Sequence, residues 1–526
     1  MQVQPHALTT STPSSVPSRS AGTTDVRRAS PWATLAVLCS SLLIVNLDTT
    51  VLNVALPTLV RDLNASSSQL QWVVDAYALV FGGLLLVAGS TADRFGRKLT
   101  FVGGLLAFAA GSAWAAFSGS VGMLVAARAS MGIGAALLMP STLSIITDVF
   151  RDPAQRQRAI GMWAGTSGVG FALGPIIGGV LLAHFWWGSV FLINVPIAAA
   201  GFLLALPLVP DSRNPAAAAP DFTGALLSIA GLALLLWGLI QAPVDGWSAA
   251  LVIAAMIGGV VVLAAFAFWE SRTSHPMLKL EFFARREFSA AISSVSLATL
   301  GLFGALFVLT QYLQFDLGYS PLQAGIRVLP AAGAIAIIAP LSALLQKAAG
   351  TKLTTAAGLL IIAAGLWQIG QASTSSTYVD VLAGMIMMGI GAGLAIPSST
   401  ASVMGSVPTE HTGIGSATNG TALQLGGALG VAIIGSLLAT RYTGKMTAAL
   451  APYHVPTAIM QRILGDVGSA LAVAARVGGA LGEQLSHVAR AAFVSGMDLG
   501  LTVGAAVAVV GCIVALVTLP RKRSPG

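Results

Sequence analysis

A chain of 526 residues that is 55% hydrophobic and 9% charged, with a mean hydropathy of +0.83, is not a soluble globular protein, in which about 25% of residues are charged. Its formal net charge of +8 would suit nucleic acid, but in so apolar a chain excess Lys and Arg set membrane orientation, and no nucleic-acid partner is expected. The two cysteines, Cys39 and Cys512, both lie in apolar runs, so neither a disulfide framework nor a cysteine metal site is indicated, and no metal or cofactor is expected.

In chain order, residues 1–30 are rich in Ser, Thr and Pro, lack an apolar run and read as a disordered cytoplasmic tail. At about 20 apolar residues per crossing, about fourteen spans follow, beginning near residues 32, 70, 99, 121, 157, 189, 222, 247, 288, 322, 353, 379, 412 and 490. The first is too long for a signal peptide. An even number of spans puts both termini on one side. Loops there carry Arg94, Arg97, Lys98, Arg151, Arg156, Arg158, Arg213 and, further on, Arg272, Lys279, Arg285, Arg286, Lys347 and Lys352, and a basic tail follows at 521–526. The short loops opposite hold only Arg61, so the positive-inside rule makes both termini cytoplasmic. A long outer loop at 441–489 departs from the pattern, and its Ala-rich part, 467–492, is a candidate interfacial helix.

An internal repeat organises these spans. "GRKLTFVGGLL" at 96–106 matches "GTKLTTAAGLL" at 350–360, and "MGIGAALLMPS" at 131–141 matches "MGIGAGLAIPS" at 388–398. Asp62, Leu63, Ser66 and Gln69 match Asp316, Leu317, Ser320 and Gln323 in the same register. Spans 1–6 therefore correspond to spans 9–14. The expected organisation is a six-helix half at 31–210, an inserted helix pair with its cytoplasmic linker at 211–287, and a second six-helix half at 288–520. Parallel repeats with a cavity at their interface near the midplane characterise secondary transporters.

Five further stretches carry a resemblance: "LDTTVLNVALP" (47–57), "GSTADRFGRK" (89–98), "LVAARASMGIGAA" (124–136), "GVGFALGPIIGG" (168–179) and "FLINVPI" (191–197), followed by "HPMLKLEFF" (275–283). In this order they resemble the major facilitator superfamily, and in particular its fourteen-span drug:proton antiporter branch. The resemblance implies an all-α integral membrane protein with the major facilitator fold, in a bacterial cell membrane. It further implies that Gly89, Asp93, Arg94, Gly96 and Arg97, with Asp148 at the foot of span 4, form a charged switch that latches one state of the transport cycle. The plainer reading of those basic residues is orientation alone. In span 5, Gly170, Gly174 and Gly178 recur every fourth residue beside Gly179, and Pro175 removes a helix hydrogen bond. Its repeat partner, "GGALGVAIIG" (426–435), has Val431 in place of the proline, so this antiporter motif belongs to one half.

An ionisable side chain at membrane depth is costly unless paired or hydrated. Asp48 lies about 24 Å along span 1 and Arg128 roughly 10 Å from the outer end of span 4, so the two share a depth and form the expected proton-coupling pair. A purely structural ion pair is the competing reading. Their repeat partners, Leu302 and Met385, are neutral, which favours function. Asp75 on span 2, flanked by Trp72 and Tyr77, suits a lipophilic cation held by charge and ring faces. An Asp merely wetted by the outer vestibule is the alternative. Asp498 in span 14 is a further candidate, facing the cavity from the second half.

No GxxxxGKS/T, HExxH, CxxC or GxSxG pattern occurs, so neither ATP-driven transport nor enzyme activity is expected. The function expected is efflux of lipophilic, cationic small molecules in exchange for protons, by a monomer in the lipid bilayer. A dedicated exporter of an endogenous antibiotic, siderophore or lipid and a non-transporting membrane sensor are the alternatives.

Overall fold

The computed structural model is described over residues 30–213, 219–408 and 412–519, and these residues are mostly helical. The expected tails at 1–30 and 521–526 lie outside the described residues apart from Ser30. Among the described residues, fourteen helices are long and apolar enough to cross a membrane. Spans 1–6 are Pro31–Leu63, Ser67–Phe95, Arg97–Ala116, Val121–Val149, Pro153–His184 and Ser189–Leu208. Spans 7 and 8 are Phe222–Asp245 and Ala250–Arg272. Spans 9–14 are Arg286–Asp316, Pro321–Ala349, Thr351–Gly370, Tyr378–Ser406, Gly413–Leu450 and Gly479–Thr518. The protein is a multi-pass membrane protein.

Local chemistry sets the helix ends. Ser66 and Gln69 form a capping box at the start of span 2, and Ser320 and Gln323 repeat it at span 10. Asp152 caps span 5 ahead of Pro153, a residue suited to the first helical turn. Gly96 and Gly350 occupy equivalent corners with φ of 122° and 86°, a conformation that favours glycine.

The repeat is also a repeat of contacts. Spans 1 and 5, 2 and 4, and 3 and 4 pack together in the first half, as spans 9 and 13, 10 and 12, and 11 and 12 do in the second. The halves meet along two seams, span 2 with span 13 and span 5 with span 10. Across the first, Thr421 Oγ1 donates to the Gly82 carbonyl at 2.9 Å. Across the second, a Cβ on Gly179 would stand 2.6 Å from Leu322 Cα, and one on Gly325 would collide with the Pro175 carbonyl. Spans 7 and 8 pack on each other, and span 7 lies over the span 2–span 13 seam. Leu236 and Ile240 cluster there with Ala78, Leu79, Ala428 and Ala432, and Ser436 Oγ donates to the Leu239 carbonyl at 2.7 Å.

The segment between spans 13 and 14 differs from the expected loop. Span 13 runs on to Leu450 and span 14 begins at Gly479, leaving two short helices, Thr457–Gly465 and Val467–Val477, between them. The Ala-rich stretch is not one helix, because Gly478 and Gly479 take φ of 64° and 58° and break it. Nor does it lie free at a membrane surface. Val467, Ala470 and Ala474 are buried, and Gly468 presses against Phe315 and Val60.

Candidate functional site

The bundle has a terminal end, where span 1 begins and span 14 finishes, and a far end opposite. Asp48 and Arg128 meet in the interior of the first half, each about 1% exposed or less. Arg128 Nη1 donates to Asp48 Oδ2 in a buried ion pair. The other carboxylate oxygen accepts from Asn194 Nδ2 of span 6 at 3.2 Å, and the same amide reaches Ser112 Oγ of span 3 at 3.4 Å. Arg128 Nε donates to the Val73 carbonyl of span 2 at 3.1 Å. Its guanidinium carbon stands 4.3 Å from the centre of the Tyr77 ring and 5.8 Å from that of Phe191. Spans 1, 2, 3, 4 and 6 thus converge on one charge pair, where charge, hydrogen bonds and ring faces together offset the burial of a guanidinium. Asn194 and Phe191 lie in the stretch "FLINVPI", and an amide within an apolar run is the signal that singles out Asn194.

Asp75 is fully buried one helical turn from Gln71, on the side of span 2 that meets span 13. Neither of its oxygens has a hydrogen-bond partner among the described residues. Trp72, three residues before it, packs in the apolar cluster shared by spans 2, 7 and 13. Tyr77 turns the other way. Its ring lies over Arg128, so it belongs to the Asp48 pair and not to Asp75. Asp498 stands apart from both groups: it is exposed, accepts from Thr502 Oγ1 at 3.2 Å and borders Gly370 and Ser373 at the far end. It does not face the seam between the halves as expected: the buried face of span 14 is formed by Met497, Gly500, Leu501 and Gly504, and Asp498 points instead into an open groove at the far end, between span 14 and the end of span 11.

At the terminal end, Arg97 Nε donates to Asp93 Oδ1 at 2.9 Å, while Arg97 Nη1 lies 4.0 Å from Asp148 Oδ1 and reaches the Ser144 carbonyl at 3.5 Å. Gly89 stands where spans 2 and 4 approach, with Pro140 as its neighbour. Arg94 is exposed in the last turn of span 2, a place where the helix dipole favours a cation. The span 5 glycines face two partners. A Cβ on Gly170 would stand 3.0 Å from the Leu43 carbonyl, one on Gly174 would collide with Thr50, and one on Gly178 would stand 2.6 Å from Val51, so this stripe lies flat on span 1. Gly179 and Pro175 turn instead to span 10 of the second half. Where spans 1, 5, 9 and 10 meet, a cavity of about 20 Å³ remains, lined by Thr50, Asn53, Phe171 and the repeat residue Leu302. It holds about one water, so the seam is shut at this level.

Two repeated six-helix halves, an inserted pair and ionisable groups buried in the first half define a membrane carrier of the secondary-transporter class. The family model described as Major Facilitator Superfamily matches residues 38–242 and 222–431. The chain is 38% identical over 489 residues to the multidrug efflux pump LfrA of Mycolicibacterium smegmatis, covering 91% of this chain and 95% of that one. It is 34% identical to the tetracenomycin C resistance and export protein of Streptomyces glaucescens, over 95% of this chain and 93% of that one. It is 31% identical to the methyl viologen resistance protein SmvA of Salmonella typhimurium, over 90% and 94%. A solved bacterial homologue of the human lysosomal transporter Spinster, inward-facing and unoccupied, shares the fold with a TM-score of 0.64 at 18% identity, over 94% of this chain and 99% of that one. The chain belongs to the major facilitator superfamily, in its multidrug-efflux branch.

Proposed function

We propose that this protein is a monomeric secondary exporter that expels lipophilic, cationic compounds in exchange for protons, with both termini in the cytoplasm of a bacterial cell. The observation that carries the reading is the buried Asp48–Arg128 pair, set in the first half only, against Leu302 and Met385 at the equivalent buried places of the second. A proton on Asp48 removes the negative partner of Arg128 and leaves the guanidinium to the Val73 carbonyl and the Tyr77 ring. That changes the charge at the junction of five spans, which is the kind of event that biases a two-state packing of the halves. Asp75, buried without a partner at the seam between the halves, supplies the negative charge that meets a cationic substrate. The Asp93–Arg97–Asp148 group ties spans 2, 3 and 4 at the terminal end and acts as the latch, and the glycine contacts of span 5 with spans 1 and 10 form the rocking surface.

Asp48→Asn is expected to abolish proton movement driven by substrate in everted vesicles while leaving dye binding to the purified protein within about twofold of wild type, since Asn keeps the shape of the side chain and leaves Asp75 in place. Undiminished drug-driven proton flux in this variant would overturn the coupling role. The relative named for tetracenomycin C export favours a second reading, a dedicated exporter of one natural product. A panel of cationic and neutral compounds separates the two: substrate-induced proton release by a single compound supports the dedicated exporter, and release by many unrelated cations supports the first reading.

A further inference from the structure

Away from the Asp48 pair, a cavity of about 420 Å³ lies toward the terminal end, within the range of small-molecule sites, roughly 300–1,000 Å³. Its span 2 wall runs from Leu85 to Asp93, roughly 15–27 Å along the helix from Asp75. Spans 4, 5 and 13 form other walls, and the inserted pair closes the cavity with Asp221 before span 7 and His275 to Met277 after span 8. The surface is largely apolar, with Trp163, Met139 and Met277 as its large soft side chains.

The charge of this cavity is one-sided. Asp93 is matched by Arg97. Asp221 has no such partner: it accepts from the Gly224 amide at 2.8 Å and from Trp269 Nε1 at 3.0 Å. Behind it Glu270 is 3% exposed, its Oε2 accepting from the Leu278 amide at 3.0 Å and its Oε1 without a hydrogen-bond partner among the described residues. Glu270 Oε1 and Asp221 Oδ2 stand 2.6 and 2.7 Å from the point a Cβ on Gly224 would occupy, so the glycine lets both carboxyl groups share one corner. Among the described residues no ion pair joins either of them to a basic side chain.

We propose that this cavity is a loading site for a monovalent cation with an apolar, aromatic body, which binds here before it reaches the level of Asp75. Its charge is set against Asp221 with Glu270 behind, and its rings lie against Trp163, Met139 and Met277, groups that attract cations and aromatic edges through π faces and polarisable sulfur. The inserted helices thereby contribute a recognition wall to the carrier. The proposal rests on the export reading above and adds a second site to it.

Tetraphenylphosphonium binding to the purified full chain in nanodiscs tests it. Wild type is expected to bind one equivalent saturably in this cavity. Asp221→Asn keeps a side chain that caps span 7 and is expected to weaken that binding about tenfold. His275→Lys, which adds a positive charge on an exposed position of the same wall without touching the cap, is expected to weaken the same site, whereas Asp48→Asn is expected to leave it intact. Unchanged stoichiometry and affinity in His275→Lys and Asp221→Asn would overturn the loading site while leaving export standing. No binding to wild type at all would overturn both. Should Asp221→Asn fail to fold, His275→Lys decides alone.

Discussion

Asp48 and Arg128 stand 80 positions apart, yet each oxygen of the carboxylate has its own donor and each side of the guanidinium its own partner. Asn194 is the member that links the pair to span 3. Asn194→Ala leaves one buried carboxylate oxygen without its donor, a loss of about 1–3 kcal/mol, and is expected to lower the thermal unfolding midpoint of the purified protein. Asn194→Asp is expected to lower it further, because a second carboxylate beside Asp48 adds repulsion to the lost hydrogen bond. At Asp75, substitution by Asn is expected to cut efflux of cationic dyes severalfold and to spare neutral substrates. Equal loss for both classes in a transport assay would count against charge recognition. The shared depth of Asp48 and Arg128 was legible from residue counts along two helices. The turning of Tyr77 away from Asp75 was not, since neighbours in a helical sequence point to different sides and only the surrounding spans show which side holds the charge.

Span 5 shows how an element can carry two surfaces. Its fourfold glycine spacing predicts a flat stripe, but the spacing names no partner, and the fold assigns that stripe to span 1 and the adjoining Gly179 to span 10. Glycines in the same helix differ sharply in what surrounds them. Gly168 has nothing within 4 Å of an added Cβ, whereas Gly179 meets the backbone of Leu322. Gly179→Val is therefore expected to force the halves apart at a cost of about 1–3 kcal/mol and to abolish dye efflux at normal expression. Gly168→Ala is expected to transport as wild type. Comparable loss in both variants would mean that helix propensity, and not the contact between halves, is responsible.

Across the whole molecule, the two short helices between spans 13 and 14 strap the far end. Their polar contacts cross from the second half to the first: Ser67 Oγ donates to Asp466 Oδ2 at 3.2 Å, and Arg462 donates to Asn64. Tyr442 OH donates to the Ile463 carbonyl at 2.9 Å and ties the strap to its own half. Burial pushes the Asp466 carboxyl up to about 7, against the hydrogen bonds from Gly468, Ser67 and Ser469 that favour its charge. A carboxyl raised on docking favours the docked strap at low pH, and that contribution is lost as pH rises from about 4 through about 7. Hydrogen exchange, corrected for its intrinsic pH dependence, is expected to show protection of 457–477 falling between about pH 4 and about 7, and Asp466→Asn is expected to remove the trend. Membrane residence, fourteen crossings, the duplicated halves and the anomalous charges were all determined by the sequence itself, because a bilayer demands long apolar helices and makes every charge within them conspicuous. The docking of the strap, the seating of span 7 over a seam and the outward Asp498 were decided only by the tertiary structure. A helix that is apolar nearly all round has almost no sequence signal for its rotation about its own axis, and in a membrane that rotation is set by close contacts with its neighbours.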